Sequence, residues 1–163
     1  MKYLNYEPKI DKDAVNIGGD IIGDVTIEKD VNIWFNATVR GDMAPVTIKE
    51  GTNIQDNAVV HTNTDLPTFI GKLVTIGHSA IIHACTVHDY ALIGMGSIIL
   101  DSAEVGEYAL VAAGTVVPPG KKVPPRTLVM GNPMRIVREL TDIEIEANIQ
   151  NSRYYIKLSK EYR

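Results

Sequence analysis

The chain has 163 residues, 45% of them hydrophobic and 22% charged, with a formal net charge of −4. That is enough for one domain with its own core, and the interspersed charges form no basic stripe, which argues against nucleic acid as a partner. No apolar run approaches the ~20 residues of a membrane span, the opening MKYLNYEPKIDKD has no signal-peptide pattern, and the single cysteine, Cys85, has no internal disulfide partner; a cytoplasmic protein is expected.

From Val15 onward, apolar and mostly β-branched residues recur every six positions. Val15, Ile21, Ile27, Ile33 and Val39 form one series; Ile48, Ile54 and Val60 a second; Ile70, Ile76 and Ile82 a third. The longest runs Val87, Ile93, Ile99, Val105, Val111 and Val117. Small or β-branched residues follow four places later, as at Ala37, Ala58, Ala80 and Ser97, and glycine often follows directly, as at Gly77, Gly94 and Gly106. An α-helix repeats at about 3.6 residues and a β-sandwich turns every 8–12 or so. A six-residue period suits short strands joined by tight turns, the signature of a β-solenoid.

After Val117 the segment PPGKKVPP is expected to end the ladder, because proline donates no backbone N–H. Residues 126–140 are expected to run back as an extended segment. Thr141 and Glu144 then make a capping-box signature. It opens a helix expected over residues 142–162, whose Ile143, Ile145, Ile149, Tyr155, Ile156 and Leu158 would pack on an outer face of the solenoid. The expected division is a β-helix domain over 1–140 and a helical segment over 141–163.

All four histidines fall between positions 61 and 88. His61 follows Val60, His83 follows Ile82 and His88 follows Val87, so each should point outward where its neighbour points inward. If HTNTDLPTFIG contains a loop, then Val60, Ile70, Ile76 and Ile82 mark one full coil, and His83 lies over His61 at the strand spacing of about 4.8 Å. The same count one coil earlier puts Arg40 under His61. Two imidazoles so placed can share a metal. His78 lies five residues before His83 and around a turn, up to ~17 Å away along an extended chain. The simplest closure takes the third ligand from a neighbouring subunit of a cyclic oligomer. Three histidines suit a catalytic zinc with a fourth position open to water. A lone outward histidine is ordinarily a solvated side chain, and His88 is read that way. Arg40 and Asp42 can pair at the subunit boundary, Asp56 can meet an arginine across it, and Gln55 can hydrogen-bond a metal-bound water. Against these stands the plain alternative of surface charge with little energetic effect.

VRGD at 39–42, NIQD at 53–56, His61, GHSAIIHAC at 77–85, IGMGS at 93–97 and GNP at 131–133 together resemble the γ-class carbonic anhydrases, hexapeptide-repeat proteins. The resemblance spans nearly the whole chain. It implies an all-β solenoid, a left-handed parallel β-helix with a C-terminal α-helix, assembled as a homotrimer. It implies zinc, or iron or cobalt in the same site, held by His61 and His83 of one subunit and His78 of the next. Arg40, Asp42 and Asp56 would form the interface ion network and Gln55 would position hydroxide on the metal. The implied reaction is reversible hydration of CO₂ to bicarbonate. In one respect the chain departs from the family's best-known pattern. Met43 replaces an acidic residue after the RGD-like element, and the loop after His61 holds only Asp65 where proton-shuttling acids are found. Slow proton export and weak activity are therefore expected, with Asp65, Tyr154 or Tyr155 as candidate groups near the route. Three competing functions share parts of this pattern: a hexapeptide acyltransferase with one histidine as general base, a metal-dependent thioesterase, and a non-catalytic trimer stapled by zinc.

Overall fold

A computed structural model describes residues 1–162; Arg163, the last residue of the expected helical segment, lies outside them. The chain winds as a left-handed parallel β-helix of about seven turns with one helix laid along its side. Every member of the six-residue series is buried, and from Ile21 to Val117 they stand in one continuous column of aliphatic side chains, nearly all of them fully buried. Full burial of one such side chain is worth roughly 1.5–3 kcal/mol, so a stack of this length needs few aromatics.

Three faces follow one another around each coil. The first carries residues 20–23, the start of Thr38–Ile48, then Val59–His61, Ile81–His83, Ile98–Ile99 and Val116–Val117. The second carries residues 25–27, the end of Thr38–Ile48, then Thr68–Ile70, Thr86–Val87, Glu104–Val105 and Lys122–Val123. The third carries Val15–Asn16, Asn32–Ile33, Asn53–Ile54, Thr75–Ile76, Leu92–Ile93, Leu110–Val111 and Thr127–Met130. The surplus residues between Val39 and Ile48 do not leave the ladder: Thr38–Ile48 stays one strand that bends between two faces, with a register shift between Gly23 and Val25 on its partner. The surplus after Val60 does form a loop, closed by a bridge between Asn63 and Leu66.

The expected end of the ladder at PPGKKVPP is corrected. Val123 and Val129 extend the series as buried rungs, and Lys122–Val123 pairs with Glu104–Val105. The physical reason lies in the direction of the bonds. Each coil donates to the one after it, as Gly106 N–H does to the Val123 carbonyl. The N–H missing at Pro124 would have donated to a further coil, and none follows. The run back expected over 126–140 is borne out only in its second part: Thr127–Met130 is one more parallel rung, and Arg135–Glu139 turns back antiparallel on it.

The helix covers Asp142–Ser159 and finishes in a 3-10 turn, Lys160–Tyr162. Its capping box forms: Thr141 accepts from Glu144 N–H, and Glu144 accepts from Thr141 N–H. Ile145 packs with Leu128 and Leu140 near the last coil, the Ser152 hydroxyl donates to the Leu73 carbonyl, and Tyr155 meets Trp34 edge-on at 5.4 Å. The helix thus runs back along the third face. Among the described residues no helix is long and apolar enough to cross a membrane.

Candidate metal centre

His61 and His83 end two first-face strands at the corner that leads to the second face. Val60 and Ile82 beside them are fully buried and mutually in register, so both imidazoles point outward as cross-strand partners. Nδ1 of His61 faces Nε2 of His83 at 3.3 Å. The far nitrogen of each ring is held by a carboxylate: His61 Nε2 lies 2.9 Å from Asp42 and His83 Nδ1 lies 2.6 Å from Asp101. A carboxylate only accepts, so each of these bonds takes the ring N–H. When the rings are neutral, both facing nitrogens are then bare. Two lone pairs aimed at each other repel, and a cation between them turns that repulsion into coordination. Two nitrogens about 2.0–2.1 Å from one tetrahedral ion lie about 3.3 Å apart. The pair therefore fits a divalent transition metal, with the outer carboxylates orienting the rings as such partners do.

The electrostatics support this arrangement. Burial opposes the charge on Asp42, but hydrogen bonds from His61 and Arg40 outweigh it and hold the carboxyl below its ordinary value. Arg40 and Asp42 form the expected ion pair. Hydrogen bonds from Asn63 and then His83 lower the Asp101 carboxyl in the same direction. Cys85, two residues on, is a core group: burial pushes its thiol up to about 12.

His78 occupies a different corner, where the third face leads into the first. Its Nδ1 lies 2.9 Å from Asp56 and its side chain is 42% exposed. Gly77 is required beside it, because a Cβ there would come within 2.8 Å of the Ile93 carbonyl oxygen and Met95 nitrogen of the adjacent coil. His78 shares a groove with Gln55, Met95, Asn151 and Tyr155. Gln55 is buried and donates to the Asn53 side chain at 3.0 Å. Burial, then the nearby Asp56 and Tyr154, raise the Tyr155 phenol, which keeps it protonated at neutral pH.

The chain thus brings together Arg40, Asp42, His61 and His83 at one corner, and Gln55, Asp56 and His78 at another. Among the described residues no three His, Cys, Asp or Glu side chains converge on one metal position within a single chain. Sequence reasoning missed Asp101, which stands one place beyond Leu100, the residue one coil after His83. His88 is exposed, as read from sequence, and Asp65 sits at an exposed loop tip.

No family model matches the chain. A carbonic anhydrase of Geobacillus kaustophilus is 48% identical over 143 residues, covering 88% of this chain and 79% of that protein. The mitochondrial γ carbonic anhydrase 2 of Arabidopsis thaliana is 43% identical over 98% of this chain, and the chain spans 60% of that protein's length. A solved hexapeptide transferase family protein from Anaplasma phagocytophilum superimposes with a TM-score of 0.95 at 44% identity, covering 99% of this chain and 96% of that one. With its solenoid, its histidine corners and these relatives, the chain belongs to the γ carbonic anhydrase family.

Proposed function

We propose that the chain forms a homotrimer with one transition metal shared at each subunit boundary, and that it hydrates CO₂ reversibly to bicarbonate. The observation that carries the reading is the pair of bare nitrogens of His61 and His83, 3.3 Å apart, each ring backed by a carboxylate. His78 lies at the opposite edge of the same first face. If three first faces turn toward a common axis, one edge of each copy meets the other edge of the next. His78 of one subunit then completes the site begun by His61 and His83 of another. The face between carries the exposed Val59 and Ile81, suited to burial in such an assembly.

Zinc suits an all-imidazole set, and Fe²⁺ or Co²⁺ are alternatives in the same site. When bound, the metal lowers the pKa of water to about 7, the value characteristic of carbonic anhydrases, and so supplies the nucleophile at neutral pH. The protein's residues do the rest. Asp42, steadied by Arg40, and Asp101 hold the His61 and His83 rings; Asp56 holds His78. Gln55 reaches the boundary from the His78 side and orients the attacking oxygen. Asp65, the one carboxylate of its loop, or a buffer molecule carries the proton away. The free, buried Cys85 is compatible with the cytoplasm, where we place the enzyme.

Metal analysis of the purified protein with stopped-flow CO₂ hydration tests the reading. About one metal per subunit is expected, with a rate that rises with imidazole concentration until chemistry limits it. Zero activity in zinc-, iron- and cobalt-loaded protein favours the thioesterase or the structural trimer. A protein that binds no metal favours the acyltransferase suggested by the name of the Anaplasma relative.

A further inference from the structure

The carboxylate of Asp101 uses both oxygens. Oδ1 takes the N–H of His83 Nδ1 at 2.6 Å, and Oδ2 accepts from the side-chain amide of Asn63 at 2.7 Å. Asn63 lies in the loop that follows His61, and its backbone is fixed to Leu66 by bonds in both directions. The same loop is tied back where the Thr68 hydroxyl donates to the His61 carbonyl. Asp101 itself is held by the ladder: its carbonyl accepts from Gly120 N–H at 2.9 Å, and Ser102 N–H donates at 2.7 Å to the carbonyl of Ala84, next to His83. One carboxylate therefore joins three successive coils, through the loop after His61, the ring of His83, and the corner after Ile99.

We infer that Asp101, locked by Asn63, is a positioning residue that keeps His83 in the tautomer with Nε2 bare and aimed at His61. The inference deepens the metal reading and rests on it for its consequence, but the strut is a property of the metal-free chain. A free imidazole exchanges between tautomers, and only a fixed acceptor at Nδ1 selects one. The second bond, to Asn63, stops the carboxylate from swivelling away. Outer partners of this kind typically carry a 10–100-fold effect on metal affinity.

The test has two arms, in the full-length chain and in Asp101→Ala, Asp101→Asn and Asn63→Ala. In metal-free protein labelled with ¹⁵N-histidine, long-range ¹H–¹⁵N spectra report which nitrogen of His83 bears the proton. The wild type should show Nδ1–H with Nε2 bare. Asp101→Ala should shift His83 toward a mixture with Nε2–H, whereas Asp101→Asn should restore much of the selection, because the amide oxygen still accepts. Asn63→Ala, an exchange in a surface loop, should shift it partway and serves if the Asp101 variants do not fold. Competition with a zinc chelator should give a dissociation constant weakened roughly 10–100-fold in Asp101→Ala, with the thermal midpoint of the metal-free chain little changed. A His83 tautomer that is the same in wild type, Asp101→Ala and Asn63→Ala overturns the inference. A wild type that binds no zinc while its tautomer still depends on Asp101 overturns the metal reading and leaves the strut standing.

Discussion

The proposed shared site can be tested by restoring it from two broken parts. If the proposal holds, in His78→Ala every site would lack one ligand and in His83→Ala every site would lack another, so each homotrimer should be without tightly held metal and without activity. The structure places these two residues at opposite edges of the first face, with His61 beside His83 and Asp56 beside His78. Unfolding and refolding the two variants together scrambles the subunits. A site is whole when its His61 and His83 come from the His78→Ala chain and its His78 comes from the His83→Ala chain. In a cyclic trimer with equal, random mixing each condition holds half the time, so about one quarter of sites recover. Metal content after gel filtration and CO₂ hydration should both return to about that fraction of wild type. If one chain supplied all three ligands, no mixture could repair any site. Recovery indistinguishable from zero, in trimers shown by mass spectrometry to be mixed, would refute the boundary site.

Two further predictions concern the scaffold. Ile82 is fully buried and in register between Val60 and Ile99, so Ile82→Ala should cost about 2–5 kcal/mol; Ile143→Ala, at an 82% exposed position, should change stability by less than about 0.5 kcal/mol. Urea midpoints decide, and equal shifts would contradict the assigned core. Hydrogen bonds from Arg138 and then Thr141 lower the Glu144 carboxyl from 4.5 to about 2. A carboxylate with a lowered folded pKa stabilises above its unfolded pKa, so its contribution is complete above about pH 4.5 and lost as pH falls toward 2. The stability gap between wild type and Glu144→Gln, followed by circular dichroism, should close over that window, and a gap constant with pH would remove Glu144 from the cap.

The repeat was legible because the inside of a solenoid admits only aliphatic side chains, and a period of six cannot be mistaken for a helix. Counting rungs from Val60 to Ile82 placed His83 over His61 even with a loop between them, since an inward residue must stay inward whatever is inserted. The same reasoning failed at PPGKKVPP. Proline was taken to interrupt pairing, but the missing donors point toward the end of the stack, where no acceptor is lost. The Thr38–Ile48 strand hid in the same way, because its surplus residues are absorbed by a bend rather than a loop. At the site, the histidine pair was readable from register, whereas its carboxylates were less so. Asp42 was noticed for its charge beside Arg40, but its bond to His61 depends on the bend of that strand. Asp101 carried no local signal, because a full coil counted forward from His83 arrives at Leu100 and Asp101 lies one place beyond it. Asp56 was expected to meet an arginine across a boundary; within the chain it faces His78.

The geometry of the column explains why such a centre would need more than one chain. Strands in the stack are about 4.8 Å apart, and the two rings, with centroids at 5.2 Å and tilted by 58°, bring one nitrogen of each to 3.3 Å. A third ligand from the same column would have to come from the next coil on either side. After Ile99 the matching residue is Leu100, which offers no donor atom, and after Val39 it is Arg40, whose guanidinium has no lone pair to give. The carboxylates that flank the pair, Asp42 and Asp101, are spent on the outer ring nitrogens. For the metal proposed, the solenoid would therefore supply two ligands at this corner and no more. On this proposal, a metal completed by His78 of a neighbour would bind the assembled form and not the separate chain, so metal binding and association would be linked equilibria. At a free metal concentration of 100 times the dissociation constant, each such site would favour assembly by about 2.7 kcal/mol. Reciprocally, dilution of the protein would weaken its hold on the metal by the same coupling.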